Sequence, residues 1–165
     1  AAEFTAMLPA TTEVLNNESY AKILKYEIYA GGGQVGIWDE KLLCDSDNFY
    51  VIDKRLLPIN IQSSHLIMMQ IVGNSMEPKY NEGDWVLIEH RNGRPVKYVN
   101  GVHIVKYGDT VQIKNVEFLG NGDIRCSSSN PEYPPFQPIK DFAETWDIIG
   151  KVCGKLTIGT GFVWE

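Results

Sequence analysis

The chain has 165 residues, 44% of them hydrophobic, and a net charge of −6; that is long enough for one domain with its own core, or a domain plus an arm, and too apolar for a disordered segment. The acidic balance, with no Lys/Arg cluster, excludes a nucleic-acid grip by this chain itself, and no apolar run approaches the ~20 residues of a membrane span. Cys44, Cys126 and Cys153 are too far apart for a zinc pattern or a CxxC pair and suit a reduced, cytoplasmic setting, so no metal or cofactor is expected.

The chain opens Ala1-Ala2-Glu3-Phe4 without a Met or a secretion signal, as an appended leader or the edge of a longer protein would. Residues 1 to about 19, with Pro9 and paired Thr and Asn, read as a linker with at most a short helix at Glu13–Leu15. Residues 20–29 suit a helix or a strand, and the alternation of Tyr26, Ile28 and Ala30 favours a strand end. Ala30-Gly31-Gly32-Gly33 is a flexible break. From residue 34 the pattern is β: short runs rich in Val, Ile, Tyr and Trp at 49–52, 66–72 and 85–89 stand between turn signals. A hairpin is expected over 101–116, turning at Gly108-Asp109, and another over 116–127, turning at Gly120-Asn121-Gly122-Asp123. A late run covers 148–158, and Phe162 and Trp164 alternate near the end. There is no internal repeat. Many strands with tight turns predict a mainly β fold, a small rolled antiparallel sheet.

The sharpest stretch for chemistry is Val72-Gly73-Asn74-Ser75-Met76-Glu77-Pro78, followed by Glu82-Gly83-Asp84-Trp85-Val86-Leu87-Ile88. A strand ends, a glycine makes room, and a serine stands at the turn, where backbone N–H groups can face an oxyanion. Taken alone, Ser75 also reads as an ordinary turn serine. A nucleophilic serine needs a base. His65, His90 and His103 lack the setting of a triad, which leaves a lysine kept neutral by burial. Lys114, in Val111-Gln112-Ile113-Lys114-Asn115-Val116, is one candidate. Strict alternation puts it on a face with Thr110, Gln112 and Val116, so periodicity does not bury it. Lys106 competes by composition.

Gly73-Asn74-Ser75-Met76, Gly83-Asp84 with its apolar strand, Val111-Gln112-Ile113-Lys114, Asn130-Pro131-Glu132-Tyr133-Pro134-Pro135 and Ile149-Gly150-Lys151-Val152 occur in one order. In that order and spacing they resemble the LexA-like self-cleaving repressors, which include phage cI-type repressors and the UmuD mutagenesis proteins. The resemblance covers roughly residues 28–158. It implies Ser75 as nucleophile and Lys114, not Lys106, as general base, with Met76 N–H as an oxyanion donor. It implies a cut at Ala30–Gly31, where two small residues let the bond enter a tight site. The stretch from Gly31 to Ser75 is longer than the family's, so either a longer loop swings the bond in or the cut shifts to Gly31–Gly32.

The expected organisation is an arm carrying the cleavage site, 1–33, and a serine–lysine peptidase and dimerisation domain, 34–165. The resemblance further implies a homodimer, with the alternation at 159–165 suiting an interface edge. It implies a RecA filament as activator in a DNA-damage response, and DNA contact only through an N-terminal helix-turn-helix that this chain does not contain. Three other readings stay open: a UmuD-like protein, a non-catalytic dimerisation module, and a plain β-rich binding domain. Signal peptidase shares Ser-Met-x-Pro, but here there is no membrane span.

Overall fold

The computed structural model describes residues 19–31, 36–37, 49–58, 60–91, 94–95, 98–107, 110–135, 146–157 and 159–165. Strands β1 (Tyr20–Gly31), β2 (Gly36–Ile37), β3 (Phe49–Asp53), β4 (Leu66–Val72), β5 (Trp85–His90), β6 (Gly101–Tyr107), β7 (Thr110–Phe118), β8 (Ile124–Ser127), β9 (Trp146–Thr157) and β10 (Gly161–Trp164) form one sheet. Short 3₁₀ turns at Lys54–Leu56 and Ser63–His65 lead into β4. None of the helical segments described is long and apolar enough to cross a membrane.

Pairing runs β2-β7-β6-β9-β5-β4-β1-β3, with β8 on β7, β10 on β9, and a further contact from β1 back to β7. That last contact, Gly31 on Gln112, joins the two ends of the run β7-β6-β9-β5-β4-β1, so these six strands close into a ring. Most pairs are antiparallel, as the hairpin signals predict. The exception is β1, which lies parallel to β4 and β7 and carries a bulge between Tyr26 and Tyr29. The stretch expected to be strand or helix is thus a strand, and it reaches through Ala30–Gly31 into the segment read as a break. The helix expected at Glu13–Leu15, the turn at Gly108-Asp109 and Cys44 lie outside the described residues.

Among the described residues, three clusters of buried side chains form on the sheet. Ile67, Met69, Ile71, Val86, Ile88, Ile104, Ile113 and Val152 make the first. Ile23, Met68 and Leu87 make a second, with Tyr50, Trp85, Phe162 and Trp164 packed against it. Val105, Val116, Ile124, Cys126 and Ile148 make a third. Because β4 sends Met68 into one cluster and Met69 into another, each at 0% exposure, its sequence is a continuous apolar run rather than an alternating one.

Candidate active site

Ser75 lies just past the end of β4. Gly73 takes φ 87°, a conformation that a side chain disfavours, and this turns Asn74, Ser75 and Met76 out of the strand line. The loop from there to β5 is closed by its own backbone: Ile71 N–H donates to Asp84 O (2.8 Å) and Gly83 N–H to Ile71 O (2.9 Å). Asp84, buried, accepts the Asn81 N–H at Oδ2 (2.9 Å). The Gly-Asp pair of the motif is therefore the clasp of the serine loop. Met76 and Tyr80 sink into the first cluster. From behind, Glu165 holds the loop through Tyr80 OH and through Lys79 Nζ at 3.0 Å. Ser75 itself is 1% exposed, and its Oγ has no hydrogen-bond partner among the described residues.

Lys114 is 3% exposed. Its face of β7, which alternation alone would leave to solvent, is covered from far along the chain, by Cys126 on β8 and by residues 128–133. Lys114 Nζ donates to Ser128 Oγ at 2.7 Å and lies 5.6 Å from the centre of the Tyr133 ring. Burial pushes the lysine pKa below its ordinary value, because a poorly solvated site disfavours the ammonium; neighbouring Cys126 acts weakly the other way. Burial likewise raises the Cys126 thiol.

The segment that covers the lysine also grips the serine loop. Asn130 N–H donates to Ser75 O (2.9 Å), Asn130 Nδ2 to Asn74 O (3.1 Å), and Tyr133 OH to Asn74 Oδ1 (2.6 Å). Tyr133 thus touches both the residue before Ser75 and the amine of Lys114. Tyr133 is thus what joins the Ser75 loop to Lys114; Ser75 Oγ and Lys114 Nζ are not hydrogen-bonded to each other.

The backbone at Ala30 and Gly31 reaches the same place. Ala30 pairs with Ile71 and Gly31 with Val72 on one side; Gly31 pairs with Gln112 on the other. Neighbouring strands lie about 4.8 Å apart, so this stretch runs between the strand that leads to Ser75 and the strand that carries Lys114. Along that edge of β7, β2 pairs at 110–111, β1 at 112 and β8 from 115. Lys114 stands in the interval between β1 and β8.

The remaining candidates lie elsewhere or serve the fold. Lys106 is half-buried on β6, opposite Val111 and Asp147. His65 ends a 3₁₀ turn and His90 ends β5, both half-buried. His103 is buried opposite Lys114; its Nδ1 bonds Gly101 O (2.9 Å), its ring meets the Phe118 ring edge-on, and burial lowers its pKa. Among the described residues no group of His, Cys, Asp and Glu could hold a metal. Sequence reasoning does not single out Ser128, Asn130 and Tyr133 as site residues. Their signal is a run of three serines before the Asn-Pro-Glu-Tyr motif, directly after the strand that pairs with β7.

A family model described as Peptidase S24-like matches residues 23–153. The chain is 28% identical over 102 residues, 61% of its length, to an uncharacterized HTH-type transcriptional regulator of Haemophilus influenzae. It spans 41% of that relative.

Proposed function

The chain belongs to the Peptidase S24-like family, and from that premise we propose that it is the self-cleaving regulatory domain of a transcriptional repressor, with Ser75 as nucleophile and Lys114 as general base. The observation that carries this reading is the buried Lys114 amine beside the Ser75 loop, with Gly31 paired to both supporting strands.

Neutral Lys114 takes the proton of Ser75 Oγ, and Oγ attacks the Ala30 carbonyl carbon. Backbone N–H groups near Ser75 and Met76 stabilise the oxyanion, a contribution typically worth about 3 kcal/mol. The C–N bond to Gly31 breaks, the lysine ammonium returns a proton to the leaving amine, and water hydrolyses the acyl group from Ser75. Tethering supplies the substrate at high effective concentration. Cutting breaks the covalent link between what precedes residue 31, in the repressor reading a DNA-binding part, and the domain that dimerises. A RecA filament would act by favouring the docked arm over an undocked one. A UmuD-like role uses the same chemistry.

The absence of a direct Ser75–Lys114 hydrogen bond favours a second reading, a dimerisation module that does not cut. Purified chain, Ser75→Ala and Lys114→Ala, incubated with and without RecA filaments on single-stranded DNA, separate the two. Fragments ending at Ala30 and beginning at Gly31, in the unaltered chain alone, support the peptidase. An intact chain under both conditions supports the module.

A further inference from the structure

We propose that Ser128 is a positioning residue that aims the Lys114 amine at Ser75; the inference deepens the peptidase reading and rests on it. A neutral primary amine has one lone pair and two N–H bonds, and it turns easily about its last carbon–nitrogen bond. It works as a base only while the lone pair faces the serine hydroxyl. A partner that accepts one N–H from a fixed direction removes that freedom.

Ser128 Oγ accepts from Lys114 Nζ at 2.7 Å, and Ser128 is itself held on both sides. The residue before it, Ser127, ends β8 in register with Asn115 of β7. Ser129 Oγ accepts from Asn115 Nδ2 at 3.1 Å, and Asn130 N–H donates to Ser75 O at 2.9 Å. Ser128 is therefore tied at once to the strand that carries the base and to the residue that carries the nucleophile. The other groups on this face are of different kinds. Cys126 is a buried thiol, Tyr133 turns its ring to the amine and its OH to Asn74, and His103, opposite on β6, has its Nδ1 engaged with Gly101 O. Ser75 Oγ remains buried and without a hydrogen-bond partner among the described residues, ready to give its proton to a lone pair turned toward it. Ser128 exchanges no proton. The Ser75 O–H bond breaks as the Lys114 N–H bond forms, and Ser128 keeps its own hydrogen throughout.

The test is the self-cleavage rate against pH for the unaltered chain, Ser128→Ala and Ser128→Thr. Loss of the hydroxyl lowers the plateau rate about 10- to 100-fold, the scale expected when a reacting group is misaimed. It also moves the half-maximal pH downward, because an acceptor that favoured the ammonium is gone. Threonine, which keeps the hydroxyl, restores both. A purely structural role would lower the melting temperature and leave the half-maximal pH in place. An alanine variant with unchanged plateau and midpoint overturns the proposal. If the unaltered chain does not cut at any pH, the peptidase reading fails on its own, and an NMR titration of the Lys114 side chain in ¹⁵N-lysine-labelled protein decides the contact. A lower Lys114 midpoint in the alanine variant supports it, and an unmoved midpoint overturns it.

Discussion

Ser75 and Lys114 both place polar atoms where water does not reach, and each has a consequence for stability. A buried hydroxyl without a partner costs about 1–3 kcal/mol, and Ser75 Oγ is such a group among the described residues. Ser75→Ala should therefore raise the unfolding free energy by about 1 kcal/mol in urea titrations while removing cleavage; a clear loss of stability would contradict the placement. Lys114 has a folded-state pKa below its unfolded one. Between the two values the unfolded chain binds more protons, so stability rises with pH over that window and is reduced below it. Lys114→Met removes that desolvation penalty and should raise stability at neutral pH. The gain should shrink as pH climbs toward the unfolded lysine value near ~10.4. An equal gain at every pH would contradict burial as the cause. The motif around Ser75 was legible because a turn, a glycine and a clasp are local. The burial of Lys114 was not, because residues 126–133 cover it and periodicity along β7 cannot register them.

Strand β1 links the chemistry to the sheet. Its Ile23 is fully buried against Met68 and Leu87, and its backbone pairs with β3 on one side and β4 on the other. Ile23→Ala should cost about 2–5 kcal/mol in a denaturant titration. The same burial predicts that the two halves stay together after a cut at Ala30–Gly31. Denaturing mass spectrometry should show two fragments while size-exclusion chromatography at low concentration shows one species, since β1 keeps its pairs. A freely eluting N-terminal fragment would contradict this. Separation of the two parts would then require the undocking of β1, not hydrolysis alone. Most strands were readable from short apolar runs between turn residues, β4 to the residue. The parallel seating of β1 was not, because its partners are set by long-range closure and its own pattern fits helix and strand alike. The two 3₁₀ turns before β4 carry no periodic signal.

Across the whole molecule, the six-strand ring closes at the peptide stretch proposed as substrate, since Gly31 supplies the contact between β1 and β7. One conformation thus completes the sheet and presents Ala30–Gly31 between the strands of Ser75 and Lys114. In the proposed mechanism, docking of this stretch and closure of the sheet are one event, so an activator would act by favouring the closed arrangement. In the proposed mechanism Ser75, served by neutral Lys114, cuts this stretch. Intact-mass spectrometry of the purified chain incubated over a pH series that ends near the ordinary lysine value of ~10.4 checks this, because burial pushes the Lys114 pKa below that value. Two fragments that meet at Ala30–Gly31 are expected, formed faster as pH rises until the rate levels off. A cut at another bond, or a rate that does not change with pH, would contradict it.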